Sequence, residues 1–455
     1  MNESRRDMLK LVAAGAAAGS FGPFSVSAQP SPPRIGPDDR VFITNEDSNT
    51  ITVIDPRSNS VETTINLTSF DEDPRPPFRL VTAGVVPTHA AMIHKPLYHG
   101  CIDAHGVVPS PDGRLLATSG RGSSNVYLID AVARKVIGNR ANPLAGPTTN
   151  AERLSSGILV GREPHEPTFT RNGKELWVTV RGEDRIAIID VERALRQVGG
   201  VEAGAVTSYL ETLNGPSQAW FDASGRLAFV ASQKIARIDV FDVDPDPSGR
   251  SRPRRIATLD TSAQDKPAFT PFLKTSPDGK ELWLSHKVAD TLSVRSTSAP
   301  FDLLDTVPLG AMARNNHVEF VSNARGSVVY ASLARVDDNG PGGVASSKIA
   351  IIDRGAPAGS RKLVGSFFSH GREAHGLWTN PDHTLLYVAH EDDELPGTPN
   401  AGQTVCSAFD VSDPFAPKFI AQIPVGALKL PSGELRSKKS INLVYVRPGY
   451  RGQTA

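Results

Sequence analysis

The chain has 455 residues, and its 49 Lys and Arg residues balance 49 Asp and Glu residues, so the formal net charge is +0 with neutral histidines. A chain without a strong net charge lacks the long-range attraction on which nucleic-acid binding depends, and we expect no nucleic-acid partner. The 39 Gly, 36 Pro and 39% hydrophobic residues are typical of a turn-rich globular protein.

The N-terminus resembles a twin-arginine export signal. Arg5 and Arg6 precede an Ala/Gly-rich run that ends in small residues at Ala28, with Met8 where such signals most often carry Phe. The resemblance implies cleavage after Ala28 and a periplasmic or secreted protein. The apolar run is too short to anchor the chain, so we expect no membrane span after its removal. We assign residues 1–28 to the signal, 29–40 to a linker, 41–449 to the folded domain and 450–455 to a tail.

Seven copies of one unit follow the signal. Each unit contains an apolar strand, a turn such as Ser-Pro-Asp-Gly, a second strand, a third strand and a short return strand. The second strand and the segment after it recur at 41–55, 115–130, 176–190, 227–242, 282–294, 328–353 and 385–410. Seven four-stranded units of this length predict an all-β protein, a seven-bladed β-propeller.

The two ends of the repeat array complement each other. The first copy begins at its second strand, and residues 441–449 (INLVYVRPG) form a first strand without a successor. Pairing of the C-terminal strand with the first blade would close the ring and cover both sheet edges.

Several phrases resemble the YVTN family of seven-bladed propellers. They are SPDGRLLATS, NGKELWVTV followed by RIAIID, and the C-terminal LVYV. The resemblance covers nearly the whole chain after the signal and implies the fold rather than an activity. More distant likenesses are to the d1-haem propeller of nitrite reductase, the histidine-rich propeller of nitrous oxide reductase and the lactonase propellers.

Aromatic residues recur in what we interpret as second strands, where sheet-on-sheet packing requires large side chains. They are Trp177, Trp283, Trp378, Tyr330 and Tyr387. We assign all five to the core.

Four histidines occupy the same place in their repeats. In a propeller the start of each first strand lies at the mouth of the central channel. The residues six positions before the turn are Asn442, His105, His165, Ser217, Pro271, His317 and His375. Imidazoles from several strands that converge on an axis suit copper, zinc or iron. We therefore predict a transition metal or metallocofactor bound by the four histidines, although each one alone could simply bond a backbone carbonyl.

The last residue of each second strand is expected to face the same mouth. His286 and His390 stand at that position, and we add them to the predicted metal ligands. Glu166 and Glu373 lie beside the first tier and are candidate catalytic acid–base groups. A solvated position at the rim remains the alternative for both acids.

Arg121 and Arg181 directly follow the last residue of the second strand in adjacent blades, and each precedes a glycine. A pair of guanidinium groups over the mouth favours an anionic substrate group. We predict that these two arginines and Asn442 bind substrate.

Three long loops are predicted on the face that carries the histidines. They span about 68–104, with His89, His94, His99 and Cys101, then 335–347 and 391–403. Long loops on one face of a rigid scaffold indicate a binding surface for a small molecule or a periplasmic protein. Cys101 could bind copper with His105 or pair with Cys406, and the sequence leaves both open.

The chain contains no nucleophile elbow, phosphate loop, CxxC or CxxCH motif. The main hypothesis is a metalloprotein with redox or lyase/hydrolase-type chemistry. The alternatives are a non-catalytic binding scaffold and a lactonase-like hydrolase that uses a carboxylate and a histidine. Whether the protein is an enzyme stays open at this point.

Overall fold

The seven repeats form seven antiparallel β-sheets, the blades, around a central channel. The computed structural model describes residues 35–67, 102–138, 140–141, 153–154, 157–198, 204–426, 428–429, 435–436 and 438–452. The predicted export signal and His89, His94, His99 and Cys101 lie outside these residues.

Each blade runs from an inner strand at the channel to an outer strand. Blade 1 consists of Ser440–Val446, Arg40–Asn45, Thr50–Asp55 and Ser60–Asn66. Blade 2 consists of Ala104–Pro109, Leu115–Gly120 and Asn125–Asp130, and its outer position is shared by Lys135–Val136 and Ile158–Leu159. Blade 3 consists of Pro164–Phe169, Glu175–Val180, Arg185–Asp190 and Val206–Glu211. Blade 4 consists of Pro216–Phe221, Leu227–Ser232, Arg237–Asp242 and Arg254–Asp260.

The remaining blades have the same order. Blade 5 consists of Phe272–Thr275, Glu281–His286, Thr291–Ser296 and Leu303–Pro308. Blade 6 consists of Asn315–Asn323, Gly326–Asp337, Ser346–Asp353 and Leu363–Phe368. Blade 7 consists of Arg372–Thr379, Leu385–Asp392, Thr404–Asp410 and Lys418–Gly426.

A few short elements lie outside the blades. The helix Val191–Val198 follows the third strand of blade 3, and 3-10 turns span Arg181–Glu183 and Pro341–Gly343. Arg140–Ala141 pairs with Arg153–Leu154, and Leu428–Lys429 pairs with Leu435–Arg436. No helix in the described ranges is long and apolar enough to cross a bilayer.

The ring closes as predicted. Ser440–Val446 is the inner strand of blade 1 and pairs antiparallel with Arg40–Asn45, so that Val41 lies opposite Tyr445. A strand from the end of the repeat array thus completes the first sheet and hydrogen-bonds what would otherwise be an open edge.

Hydrophobic cores lie between the blades. Seven clusters of buried side chains occur in the described part of the chain, one for each pair of neighbouring blades, including blades 7 and 1. Trp177 of blade 3, for example, packs edge-on against Phe221 of blade 4 at 5.0 Å. Because each sheet is covered on both faces, second strands such as Glu175–Val180 are buried along their whole length and read as apolar runs rather than as alternating patterns.

The Ser-Pro-Asp-Gly phrase forms the turn between the first two strands of blade 2. The Ser110 hydroxyl donates to Oδ1 of Asp112 at 2.6 Å, and the Gly113 amide donates to the Ser110 carbonyl at 2.8 Å. Gly113 has a φ of 65°, in the left-handed region that glycine adopts without strain.

The two ends of the channel differ. We call the end where the inner strands begin the upper mouth, and the opposite end the lower mouth. Trp378 lies on the inner strand of blade 7 near the lower mouth, so its assignment to a second strand was wrong. Its indole packs against the cores of blades 1/2, 7/1 and 4/5, which lie on different sides of the ring. Trp378 therefore crosses the channel.

A buried ion pair shares the lower end with this tryptophan. Nζ of Lys274 lies 2.7 Å from Oε2 of Glu319 and 4.0 Å from the Trp378 ring centroid. The same ammonium lies 5.4 Å from the Trp220 ring centroid. Beneath these groups is a cavity of about 130 Å³ that Tyr445 also lines.

We expect Lys274→Met to lower the free energy of unfolding by about 3–5 kcal/mol, because it leaves the Glu319 carboxylate buried without its counter-ion. The double variant Lys274→Met/Glu319→Gln removes both charges and should recover most of the loss. Thermal and denaturant unfolding of the three proteins measures this. Equal losses in the single and double variants would contradict the ion-pair explanation.

Candidate functional site

The inner strands change register at the upper mouth. In blade 2 the shift lies between Ala104 and Val107, so that His105 and Gly106 together oppose Ser119. Blades 3, 4, 6 and 7 have shifts at the same level. These shifts are β-bulges, which bend a strand and redirect its side chains. The histidine positions therefore lie where the inner strands depart from regular pairing.

Hydroxyl groups on the second strands hold the bulges and link neighbouring blades. Oγ of Ser119 accepts from the Gly106 amide at 2.9 Å and donates to the His165 carbonyl of blade 3 at 2.6 Å. Thr179 makes the same pair of bonds, to the Glu166 amide and the Ser217 carbonyl. Each bulge thus has a first residue, such as His105 or His165, and a second residue, such as Gly106 or Glu166.

This pattern corrects the predicted register in two blades. Ser332 bonds the His317 amide and the His375 carbonyl, which makes His317 the second residue of its bulge. Asn442 bonds Thr44 in the same way. His375 takes the first position as predicted, but His317 and Asn442 are equivalent to Glu166 rather than to His105.

Two imidazoles and one carboxyl group meet between blades 2 and 3. Nε2 of His105 lies 3.1 Å from Nε2 of His165 and 4.0 Å from Oε1 of Glu166. One ligand atom from each of the three lies within 4.8 Å of the others, and all three residues are buried. Two nitrogens bound to one ion at about 2.0–2.1 Å would be about 3 Å apart, so the observed distance fits a shared metal.

The second nitrogen of each ring faces an acceptor. Nδ1 of His165 donates to the Ser217 carbonyl at 2.7 Å, which places the lone pair of this ring on Nε2. The Gln233 amide, 3.3 Å away, donates to that lone pair. Nδ1 of His105 lies 3.4 Å from Oε1 of Glu46, an acceptor, and 3.4 Å from the Arg121 guanidinium, a donor. The Ser217 carbonyl therefore fixes the tautomer of His165, as acceptors do for histidine ligands in metal sites, whereas His105 can carry its proton on either nitrogen.

Burial changes the ionisation of the group. It lowers the pKa of His105 well below its usual value, and His165 and Arg121 lower it further. Burial raises the pKa of Glu166 to about 8, although Asn442 and Arg121 act in the opposite direction. At pH 7 His105 is therefore neutral, as metal ligation requires, whereas Glu166 is mostly protonated in the metal-free protein.

Glycines after two of the histidines make room for neighbouring side chains. A Cβ atom on Gly106 would collide with the Glu166 carboxylate and lie 2.6 Å from the His165 carbonyl oxygen. A Cβ atom on Gly376 would lie 2.8 Å from Cα of Asn442. The repeated Ala-His-Gly phrase is thus a packing requirement of the axial layer, a signal that the sequence carried and our interpretation missed.

Comparison with known proteins supports the fold. Residues 160–339 match the model of a family described as lactonase, seven-bladed β-propeller. The chain resembles the lactonase propellers. The match confirms the predicted seven-bladed architecture and includes His165, Glu166 and His317, but it ends before His375 and begins after His105. No curated protein sequence matches the chain.

Solved structures show the same fold at low sequence identity. Kuenenia stuttgartiensis hydrazine synthase is 17% identical with a TM-score of 0.51, over 76% of this chain and 96% of that chain. The Pseudomonas aeruginosa periplasmic gluconolactonase PpgL is 12% identical with a TM-score of 0.54, over 90% of this chain and 99% of its own. The dihydro-heme d1 dehydrogenase NirN in complex with DHE is 13% identical with a TM-score of 0.52, over 94% of this chain and 79% of its own.

The second histidine pair of this lactonase-like propeller lies between blades 6 and 7. The His317 and His375 rings are tilted, with centroids 4.8 Å apart, and Phe272 stacks on His317 at 4.0 Å. Oε1 of Glu391 lies 3.5 Å from Nε2 of His375. The predicted four-histidine cluster therefore consists of two contacting pairs, with Asn442 and Glu166 between them at 3.4 Å from each other.

A second ring of residues surrounds the upper mouth. In each blade it is the residue that directly follows the predicted last residue of the second strand. We call these seven residues the rim tier: Glu46, Arg121, Arg181, Gln233, Lys287, Ala334 and Glu391. Four of its members lie within 3.5 Å of a histidine of the two pairs. Since side chains alternate along a strand, the rim tier and the residues before it point in opposite directions.

This alternation removes His286 and His390 from the predicted metal ligands. Both rings are fully buried inside their blades. His286 bonds the hydroxyls of Thr270 and Ser293 at 2.8 and 2.7 Å. His390 bonds the Val405 carbonyl and the Ser369 hydroxyl, each at 3.0 Å. With both nitrogens engaged within the blade, neither ring can join the histidine pairs.

The predicted arginine pair is present but largely neutralised. Arg121 contacts Glu46, and Arg121 and Arg181 both contact Glu163. Burial, together with repulsion by Arg121, lowers the pKa of Arg181 to about 9. The two guanidinium groups lie side by side as predicted, yet two carboxylates already offset their charge.

Lys439 connects the two halves of the mouth, and nothing in our sequence interpretation pointed to it. Its Nζ contacts Glu46 and lies 3.6 Å from Oε2 of Glu391. Burial alone would lower the pKa of Lys439, but the two carboxylates raise it above its usual value. Through this lysine the acceptor behind His105 is tied to the acceptor behind His375.

Two further predicted residues lie away from the histidines. Glu373 lies at the rim, where Oε1 is 3.4 Å from the Arg314 guanidinium. Burial and the neighbouring Glu391 and Asp392 raise its pKa. Cys406 is a free thiol buried in blade 7, and burial raises its pKa.

Proposed function

We propose that this propeller is an exported hydrolase that opens lactone-type cyclic esters at one transition-metal ion held by His105, His165 and Glu166. One observation carries the proposal: the two Nε2 atoms lie 3.1 Å apart, while Nδ1 of His165 is committed to a carbonyl. When His105 carries its proton on Nδ1, facing Glu46, its Nε2 lone pair points toward that of His165, and a cation between the two nitrogens would relieve their repulsion.

The donor set favours a catalytic ion over a structural one. Two imidazoles and one carboxylate bind catalytic zinc and non-haem iron in many proteins and leave coordination positions open for water or substrate. An ion bound there supplies a Lewis acid for an ester carbonyl and lowers the pKa of bound water. Zinc and iron are therefore the first ions to test, with copper third.

The chain's own residues then have distinct tasks. Ser217 and Glu46 hold the rings of His165 and His105, as described above. Asn442 donates to both Glu166 oxygens at 3.4 Å and keeps the carboxyl group turned toward the rings.

Three further observations support the substrate and the location. The family match suggests lactone chemistry, and the N-terminal arginine motif suggests export before the protein acts. Since Trp378 crosses the lower channel, a small-molecule ligand would enter from the upper mouth. Any partner protein would bind on that face too.

A metal-free hydrolase is the second candidate. Glu166, with its pKa raised to about 8, could act as a general acid beside the neutral His105 imidazole. This candidate requires no ion between the two Nε2 atoms, because His105 would then donate its proton to His165.

The test combines metal analysis with turnover. Protein purified after reconstitution with zinc, iron or copper should hold one ion per chain and hydrolyse glucono-δ-lactone, and chelation should remove both properties. Hydrolysis by metal-free protein at the same rate would favour the second candidate. If the protein holds no stoichiometric metal and hydrolyses no lactone, both candidates are refuted.

We expect Gly106→Ala to lower the free energy of unfolding by about 1–3 kcal/mol through overpacking and to abolish metal binding, because the new methyl group displaces Glu166. Gly376→Ala is the comparison variant in the same Ala-His-Gly context: it crowds Cα of Asn442 rather than the Glu166 carboxylate, so it should lower stability similarly and weaken metal binding much less. Thermal melts and zinc titrations compare the two. Retained metal affinity in Gly106→Ala would contradict the assigned role of Glu166.

A further inference from the structure

The lower mouth contains a buried ammonium group with donors to spare. Lys274 is only 3% exposed, and its Nζ carries three N–H groups. Within the described part of the chain Nζ makes one hydrogen bond, to Oε2 of Glu319 at 2.7 Å. Its other close neighbours are the rings of Trp378 and Trp220. Since buried donors are normally paired, two N–H groups of Lys274 remain for a group in the adjoining cavity.

The Glu319 carboxylate is engaged by comparison. Oε1 accepts from the Phe320 amide at 3.1 Å and from the Thr379 hydroxyl at 3.3 Å, while Oε2 accepts from Lys274. Because Glu319 offsets the charge of the ammonium, an anion in the cavity would be attracted by one group and repelled by the other. Burial lowers the pKa of His383, which also lines the cavity, so this ring adds no charge at pH 7. The group that suits Lys274 is therefore a neutral acceptor.

The walls of the cavity are largely aromatic and proline side chains. Trp378, Tyr445, Tyr450, Pro277 and Pro381 all line its volume of about 130 Å³. The Tyr445 hydroxyl already donates to Oδ2 of Asp39 at 2.7 Å, so this residue offers a ligand mainly its ring. A cavity of about 150 Å³ accepts benzene in another protein, and aromatic rings pack favourably on one another. Volume and walls together favour one small aromatic ring.

The C-terminal segment forms the rim of this cavity. After the inner strand of blade 1 it crosses to the Ser-Pro-Asp-Gly turn of blade 2. There the Gly449 amide donates to the Asp112 carbonyl at 2.7 Å, and the Gly452 amide donates to the Pro111 carbonyl at 3.2 Å. Tyr450 lies between these two bonds and is 40% exposed. A ligand would therefore enter past Tyr450, on the face opposite the histidines.

We propose that the lower mouth is a second ligand site, which binds a small neutral aromatic compound through a hydroxyl or carbonyl oxygen that accepts from Lys274. The ring of the ligand would lie among Trp378, Tyr445 and Tyr450. Since Trp378 crosses the channel above this cavity, the site is separate from the three proposed metal ligands and does not depend on the proposed function.

Phenol is the probe, because it carries one oxygen on one ring and is neutral at pH 7. Calorimetric titration of the full chain should show saturable binding with a Kd of about 1 mM or lower. Benzene lacks the oxygen and should bind at least about tenfold more weakly, the effect of one bond to a charged group. Benzoate carries a negative charge and should also bind more weakly than phenol.

The variant Lys274→Met/Glu319→Gln removes the donor and keeps the cavity neutral. It should bind phenol about tenfold more weakly and benzene as well as the wild type does. Tyr450→Ala should weaken the binding of both compounds. Tyr209→Ala is its control, because Tyr209 is an equally exposed tyrosine on the outer strand of blade 3, and it should weaken neither. Circular dichroism and thermal melts confirm that each variant is folded.

Three results would overturn the site. They are absence of saturable phenol binding by the folded wild-type protein, equal affinities for phenol and benzene, and tighter binding of benzoate than of phenol. The first would leave a cavity that holds only water, the second would exclude Lys274, and the third would indicate an anion site. None of these measurements involves zinc or lactone hydrolysis, so this proposal and the proposed function can fail separately.

Discussion

Replacing His105 and His165 together with alanine is expected to weaken zinc binding by more than about a hundredfold. Loss of a single outer partner of a metal ligand commonly costs 10- to 100-fold, and this change removes two of the three proposed ligands. Calorimetric titration with zinc, and absorption of the cobalt-substituted protein, measure the effect. Lactone hydrolysis should fall with metal occupancy.

The matched control is His317→Ala/His375→Ala, which removes the other pair from the same mouth. It should retain zinc affinity within about threefold, since no side chain of that pair contacts Glu166. If both double variants lose the metal equally, the four histidines act as one cluster, and the division of the mouth into two halves is wrong.

Metal affinity is also expected to depend on pH through Glu166. Between about pH 6 and 8 the affinity should rise about tenfold per pH unit, because binding displaces one proton from this carboxyl group. Above about pH 8 the curve should flatten, since the pKa of Glu166 is raised to about 8. The pKa of His105 lies well below its usual value, so this ring adds no second proton to the slope.

Glu166→Gln should remove the pH slope and most of the affinity. The same variant should also change the free energy of unfolding of the metal-free protein. A carboxyl group with a raised pKa in the folded state binds more protons folded than unfolded, so stability falls as pH rises from about 4.5 to about 8. Glu166→Gln should therefore be more stable than wild type at pH 8, by an amount on the order of 4 kcal/mol, and similar at pH 4.

Glu175→Gln is a control for these measurements, because Glu175 is a buried acid of blade 3 whose carboxylate bonds Ser251 far from the mouth. It should leave the metal affinity and its pH slope unchanged. An unchanged slope in Glu166→Gln would show that a different group releases the proton.

The repeat spacing was sufficient to predict the architecture. Strands of equal length between equivalent turns can bury their apolar faces only against neighbouring copies, and the unpaired strands at 41 and 441 determined how the ring closes. Burial on both faces also explains why the second strands were easy to recognise. Trp378 was misassigned because a channel-crossing tryptophan has the same local sequence context as one packed between sheets.

The site was predicted less well because it depends on β-bulges and on which side of its strand each side chain lies. Counting back from a turn assumes a regular strand, and the extra residue in each bulge moved His317 and Asn442 to a different position. For His286 and His390 the error was one residue, which on a strand reverses the direction of the side chain. Glu46 and Lys439 could not be recognised, since their importance comes from contacts between blades 1, 2 and 7 that no local pattern records.

The strand Ser440–Val446 has a consequence for the order in which the protein matures. During synthesis the four histidines leave the ribosome before this strand does. For that interval the imidazoles lack the contacts that Asn442 and Lys439 provide. During that interval Glu166 lacks its amide donor, and Glu46 lacks one of its two cations. Under the proposed function, a chain that ends before this strand would carry the four imidazoles without the contacts to Glu166 and Glu46, and we expect it to bind the ion weakly.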